Sequence, residues 1–407
     1  MMSSEGVPEG YKQTKVGVVP KEWEVVKLKN IATVETGKTP LRTNNLFWDN
    51  GTINWVTTTK VNKIYIDTSS EKITKFALKE LKMKLMPINT ILLAMYGQGK
   101  TRGKVALLKI ESTINQAFAS IKPNEKYSTN FLLNYLDKSY MKIRNLSHGS
   151  NQDNLNLDTI KYLDIPLPPL REQQKIAEIL TTWDDAISCY VELIKAKEQL
   201  KKGLMQKLLS GEVRFSGFDE EWKKKDLDEL VEFFNGKAHE KDIIKNGKYI
   251  VVNSKFISTN GKIKKYANNL NLGANIGDIV MVMSDVPNGK AIAKCFYIDK
   301  KDTYTINQRI CLLKPTKINS TFLFYILNRH KYYLCFDDGV KQTNLRKEDI
   351  LTCPLRVPSL VEQQKIAQIL STADKEIELL KNKLEVLKEQ KKGLIQELLT
   401  GEMRVKV

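Results

Sequence analysis

PPLREQQKIAEILTTWDDAI (168–187), running on to KKGLMQKLLSGEVR (201–214), decides the fold because the chain contains it twice. Residues 358–404 repeat it as PSLVEQQKIAQILSTADKEI…KKGLIQELLTGEMR, at an offset of 190 without gaps, with 23 of 47 positions identical. Such self-similarity marks an internal duplication. In each copy apolar residues alternate at spacings of four and three, the seam of a helix that lies along a second helix. The first seam is Ile176, Leu180, Trp183, Ile187, Tyr190 and Ile194; the second is Ile366, Leu370, Ala373, Ile377, Leu380, Leu384 and Leu387. Prolines precede each copy, Glu172 or Glu362 sits in its first turn, and Gly211 or Gly401 stops it. About 40 residues at 1.5 Å rise predict helices roughly 60 Å long.

Weaker matches extend outward from the helices. Glu22-Trp23 and Leu28 correspond to Glu221-Trp222 and Leu227, and Gly37-Lys38 to Gly236-Lys237. Ile114-Asn115-Gln116 corresponds to Ile306-Asn307-Gln308, and Gly149, Gln152, Asn154 and Leu155 to Gly339, Gln342, Asn344 and Leu345. The chain thus divides into four segments: a globular domain over 1–167, a helix over 168–214, a second globular domain over 215–357 and a second helix over 358–407. Within the globular domains short apolar runs stand between Asn, Gly, Asp and Lys. INWVTT (53–58), TILLAMY (90–96), KVALLKI (104–110) and AFASIK (117–122) read as strands, as do YIVVNS (249–254), DIVMVMS (278–284), KAIAKCFYI (290–298) and RICLLK (309–314). Each domain adds a helix near its end, 131–146 and 322–336. Strands and helices without regular β-α-β alternation predict an α+β class, with the two long helices pairing as an antiparallel coiled coil.

The 407 residues carry 65 Lys+Arg against 47 Asp+Glu, a net charge of +18. That balance points to a polyanion. Its distribution decides which one. Residues 1–167 hold 24 basic and 15 acidic side chains and residues 215–357 hold 24 and 17, whereas the helical segments hold 8 and 7, then 9 and 8. A protein of the membrane surface would carry the excess on an amphipathic helix. Two basic bodies joined by near-neutral helices suit duplex nucleic acid, and coding bias would have spread lysine evenly. Five scattered cysteines without C-x-x-C spacing and three separated histidines predict no disulfide framework and no metal site. The N-terminus has no apolar signal-like run and the longest apolar runs are strand-sized, so a soluble cytoplasmic protein is expected.

Residues 94–101 (AMYGQGKT) fit a relaxed phosphate-loop pattern. Such a loop needs a helix starting at its Lys-Thr end, so that backbone N–H groups face the phosphates. The segment after Thr101, RGKVALLKI, reads as strand instead. No amino-methylation motif, S-adenosylmethionine fingerprint or nucleophile elbow is present, so the chain is expected to do no chemistry itself. Two alternatives stay open: a nucleotide-dependent DNA-processing enzyme using the 94–101 loop, and a stand-alone bivalent DNA-binding regulator.

Two diverged domains, each followed by a P-x-L-x-E-Q-Q-K-I-A…K-K-G-L-x-Q-x-L-L-[ST]-G-E helix, resemble the DNA specificity subunits of type I restriction-modification systems. The resemblance covers essentially the whole chain. It implies two target-recognition domains, each reading one half of a bipartite site on double-stranded DNA. It implies helices that act as a spacer and as the docking surface for modification (methyltransferase) subunits, two in number, with restriction subunits as a further partner left open. S-adenosylmethionine, ATP and magnesium are then expected only in those partners, with no cofactor in this chain. Half-site centres about one helical turn apart, roughly 34–36 Å, are expected. Arg, Lys, Asn and Gln pair with base edges, and Lys and Arg with phosphates. On that basis the candidate DNA contacts are Lys38, Lys60, Gln98, Lys100, Arg102, Gln152 and Asn154 in the first domain. In the second they are Lys237, Asn253, Lys255, Lys290, Lys341, Gln342 and Asn344. Gln152, Asn154, Gln342 and Asn344 precede the helices and could instead pin that junction.

Overall fold

A run of four apolar residues, Ile91–Ala94, becomes a strand with both faces buried. A computed structural model describes residues 7–61, 64–97, 99–146, 154–239, 241–286 and 289–406. By compactness the chain divides into two units, 1–190 with 383–407 and 191–382. Each unit therefore holds one globular body and part of each long helix.

In the first unit a five-stranded sheet runs in the order Val34–Thr36, Phe118–Ile121, Ile91–Ala94, Val105–Leu108, Tyr65–Ile66. Its centre is antiparallel, with Ile91 opposite both Ile121 and Leu107. Side chains alternate into two cores: Ile91, Leu93, Val105, Leu107 and Ile121 into one, Leu92, Ala94, Leu108 and Phe118 into the other. Because both faces are covered, these strands read as continuous apolar runs and not as alternating ones. A smaller sheet of Thr113–Ile114, Ile53–Val56 and Glu71–Ile73 accompanies it. The helix Thr129–Lys138, capped by the Ser128 hydroxyl, covers the first core with Phe131, Leu132 and Leu136.

The second unit repeats the plan with fewer strands. Val231–Asn235, Ile310–Pro315, Ile279–Val282 and Cys295–Tyr297 form one sheet; Tyr266–Ala267, Tyr249–Val252 and Tyr304–Ile306 form the other. Again the central strand faces two cores, with Ile279 and Met281 on one side and Val280 and Val282 on the other. Two expectations differ here. Of the run 290–298 only Cys295–Tyr297 is strand, and the helix expected over 322–336 is two helices, Ser320–Leu327 and Lys331–Leu334. Arg329, at φ 60°, takes the left-handed conformation between them, which interrupts a right-handed helix. The helix expected over 131–146 divides likewise at Ser139 into Thr129–Lys138 and Tyr140–Asn145.

The repeated segments are helices of 41 and 39 residues, Leu170–Ser210 and Leu360–Leu398. Within the first unit Lys391 pairs with Asp184 at 2.5 Å. Within the second, Lys201 pairs with Asp374, the equivalent residues 190 positions apart with the helices exchanged. The seam residues do two jobs. Ile176 and Leu180 belong to the core of the first globular body, and Ile366 and Leu370 to that of the second. Ile194, Ile377 and Leu384 are buried farther along, while Trp183, Ile187, Leu380 and Leu387 are half-buried.

The repeated Glu-Gln-Gln is a lock. The Glu172 carboxylate is 1% exposed and accepts from Trp23 Nε1 (3.1 Å) and from Arg404 Nε (2.7 Å) and Nη2 (3.1 Å). Glu362 accepts from Arg214 Nε (3.0 Å) and Nη2 (2.8 Å). Gln173 accepts from the Ser128 amide and donates to the Pro168 carbonyl, both at 2.8 Å. Gln363 does the same with Asn319 (2.8 Å) and Pro358 (2.9 Å). In both units the start of one long helix is thus clamped by an arginine that lies just beyond the end of a long helix.

Candidate nucleic-acid interface

The short motifs shared by the two globular bodies are joined by the same four backbone hydrogen bonds. In the first unit the Lys38 amide donates to Ile114 O (3.0 Å), Asn115 to Val56 O (3.1 Å), Met95 to Ala117 O (2.8 Å) and Leu155 to Met95 O (3.1 Å). In the second, Lys237 donates to Ile306 O (2.9 Å), Asn307 to Val252 O (3.1 Å), Met283 to Arg309 O (3.0 Å) and Leu345 to Met283 O (2.8 Å). Close approach explains the Gly-Lys pair. A Cβ on Gly37 would stand 1.9 Å from Ile114 O, and one on Gly236 2.0 Å from Asn307 O, so only glycine fits. These bonds bring five segments together at one edge of each body: the Gly-Lys loop, the end of Ile53–Val56 or Tyr249–Val252, the Ile-Asn-Gln turn, the loop after Met95 or Met283, and the stretch before Leu155 or Leu345.

Most of the expected DNA contacts ride on these segments. Lys38, Lys100, Asn154, Lys237, Lys255, Lys290 and Lys341 carry side chains at or near the surface, and Lys60 is half-buried. Lys38 Nζ donates to the Leu81 carbonyl (2.8 Å). Gln98 and Gln152 lie outside the described residues. Four positions have other occupations. Arg102 is only 7% exposed, so its guanidinium is not presented to solvent. Asn253 caps the helix Ser254–Ser258, accepting from the Phe256 amide (2.9 Å). Gln342 and Asn344 both bond the Ser284 hydroxyl, at 2.7 and 2.6 Å, pinning their stretch to the strand Ser284–Asp285 and not to a long helix.

The edges differ in charge. In the second unit a cleft of about 440 Å³ is lined by His239, Asn253, Lys255, Lys265, Asn307 and Arg309 among others, with no acidic residue in its wall among the described residues. His239 is buried and fixed: Nδ1 lies 2.7 Å from Lys237 O and Nε2 2.8 Å from Thr305 Oγ1. In the first unit the pocket beside Lys38 is about 110 Å³ and includes Glu35. There the ammonium groups of Lys122 and Lys84 bond Glu35 and hold its carboxyl below the ordinary range, so both cations are already paired. Sequence inspection missed Lys265 and Arg309. Arg309 directly follows the Ile-Asn-Gln repeat, and that adjacency was the available signal.

The 94–101 loop joins the antiparallel strands Ile91–Ala94 and Val105–Leu108, and no helix starts at Lys100-Thr101. A phosphate loop lacks its helix dipole here. Among the described residues no group of three or more His, Cys, Asp or Glu is placed to hold a metal ion. Among them, too, no helix is long and apolar enough to cross a membrane.

Comparison with known proteins agrees with this duplicated geometry. Residues 20–199 and 219–389 each match the family model described as type I restriction modification DNA specificity domain. The MjaVIII specificity subunit of a type I restriction enzyme from Methanocaldococcus jannaschii is 26% identical over 98% of this chain and 97% of its own length. The MjaIX specificity subunit from the same organism is 35% identical, over 44% of this chain and 41% of that protein. Among solved structures, the type I restriction-modification S subunit of M. genitalium aligns over 92% of this chain and 96% of its own, with a TM-score of 0.58 at 18% identity. A chain from a study of complex assembly and conformational transition in a type I system aligns over 95% and 99%, with a TM-score of 0.59 at 14% identity.

Proposed function

We propose, from the premise that this chain belongs to the type I restriction-modification DNA specificity family, that it reads a two-part site on double-stranded DNA for a methylating complex. The observation that carries this reading is the duplication itself: two family matches, and in each an edge assembled by the same four backbone bonds on a body with an excess of basic residues. Each globular body, 1–167 and 215–357, reads one half-site. Divergence between the bodies lets the halves differ, which a homodimer of identical readers could not do.

The long helices pair as an antiparallel coiled coil and serve as spacer and docking surface for two modification subunits. The equivalent pairs Lys391–Asp184 and Lys201–Asp374, each inside its own unit, support that pairing. Assembly with other subunits is supported by the structural neighbour studied for complex assembly. Catalysis, and with it S-adenosylmethionine, ATP and magnesium, resides in those partners, and the complex works in the cytoplasm.

Sequencing DNA methylated by the co-expressed complex tests this. The expected site has two defined halves separated by unread positions; a continuous site overturns the reading. ATP hydrolysis by the purified chain that is lost in Lys100→Ala would instead favour the enzyme alternative.

A further inference from the structure

We infer that Arg309 is a specificity-determining residue of the second unit, reading one guanine in the half-site that this unit recognises. The inference rests on the DNA-reading function proposed above and names one of its base contacts. Arg309 lies on the wall of the 440 Å³ cleft, exposed, at the residue before the buried strand Ile310–Pro315. Its backbone is held from both sides. The amide donates to Asn307 Oδ1 (3.4 Å), and the carbonyl accepts from the Met283 amide (3.0 Å). Ile310 next to it is completely buried. A side chain standing on so fixed a base is preorganised, which lowers the ordering cost of binding.

Among the described residues the guanidinium is also uncommitted. Four other arginines, by contrast, are engaged: Arg42 lies over Trp48 and Trp55 and bonds Glu71, Arg214 and Arg404 clamp Glu362 and Glu172, and Arg329 donates to Ile292 O. Among the described residues Arg309 has no ion pair, and the lysines that share its cleft wall are Lys255 and Lys265. Three cations around one cleft repel each other in the free protein, so an acceptor-rich ligand relieves an existing cost. Two flexible lysines suit phosphate oxygens. The planar fork of an arginine on a rigid base matches the paired O6 and N7 acceptors of guanine in the major groove. The first unit has Ala117 at the equivalent position, carrying the same carbonyl bond from Met95 but no side chain able to reach a base. Only one half-site therefore contains this contact.

The test offers a randomised duplex DNA library to the full-length chain co-purified with its methyltransferase partner, as wild type, Arg309→Ala and Arg309→Gln. Wild type is expected to enrich a two-part site. Arg309→Ala should enrich the same site with a single guanine in one half made degenerate, its discrimination reduced on the order of ten- to a hundredfold. Arg309→Gln should shift that position toward adenine, since glutamine pairs with adenine N6 and N7. An unchanged site in both variants overturns the inference. So does a uniform loss of affinity across all sequences, which marks a phosphate contact. A wild-type complex that enriches no two-part site fails at the earlier step and overturns the proposed function itself.

Discussion

Asp278 sits just before the central strand Ile279–Val282, only 6% exposed, where its carboxylate accepts the Asn275 amide at 2.7 Å. Burial pushes its carboxyl above the ordinary value, and the Asn275 bond and the Lys314 charge offset this only in part. The equivalent residue of the first unit is neutral: Thr90, completely buried, bonds Pro87 O at 2.7 Å. A raised carboxyl pKa means that the folded protein holds the proton more tightly than the unfolded chain. The contribution to stability is favourable at low pH and is lost as pH rises from the unfolded value through the folded one. Asp278→Asn keeps an acceptor for the amide and removes the charge. Its thermal midpoint should exceed that of wild type at pH 7 by about 2 °C and converge with it near pH ~3. Scanning calorimetry across that range checks it; an unchanged gap at both pH values would show that the charge is not the cause. Residue scale is also where the sequence was least legible. Arg102 and Lys100 are two positions apart in one basic loop, yet one is buried and the other exposed, and no local pattern separates them. Asn253 looks equally available for a base edge, but a side chain that caps a helix is indistinguishable in sequence from a free one until the helix start is known.

At the scale of elements the repeated motif proves to be two things. Its apolar positions follow helical spacing, so both long helices were legible from period alone. Its repeated polar letters, Glu-Gln-Gln at one end and Gly-Glu-x-Arg at the other, carried the family resemblance but suggested no structural role beyond helix ends. They form clamps because the arginine beyond a helix end reaches the glutamate that opens a long helix, within each unit. That pairing depends on which ends meet, which a one-dimensional pattern does not encode. The clamp is costly to break. Glu172 is 1% exposed, and among the described residues removing Arg404 leaves a buried carboxylate with only Trp23 Nε1 and no countercharge. Breaking a buried pair from one side costs about 3 kcal/mol or more, and the 38% exposure of the arginine places this case at the low end. Arg404→Ala should lower the urea midpoint of the first unit accordingly, followed by the fluorescence of Trp23. Arg404→Ala combined with Glu172→Gln should recover much of the loss, because the buried charge goes with its partner. A double variant no more stable than the single one would locate the cost elsewhere.

For the whole molecule the charge distribution carries the consequence. The excess of basic over acidic residues is 9 in 1–167 and 7 in 215–357, and one in each helical segment. That asymmetry needed only a count and a boundary, and it survives every rearrangement of individual loops. Which cations touch the duplex depends on backbone contacts between segments far apart in sequence, such as Met283 with both Arg309 and Leu345. Each phosphate neutralised releases condensed counterions, so the logarithm of affinity falls with the logarithm of salt by about 0.9 per contact. Lys255 and Lys265 share the cleft wall with Arg309, with no acidic residue there among the described residues, and under the reading proposed above they contact phosphates. The double variant Lys255→Ala, Lys265→Ala should therefore reduce the salt slope of DNA binding by about 2 and weaken every duplex by a similar factor. The sequence it selects should stay that of wild type. Titrating fluorescent duplexes at several salt concentrations measures both quantities. A slope that does not move, or a selected site that does, would reverse the division of labour in this cleft, making the lysines readers and leaving the backbone to other cations.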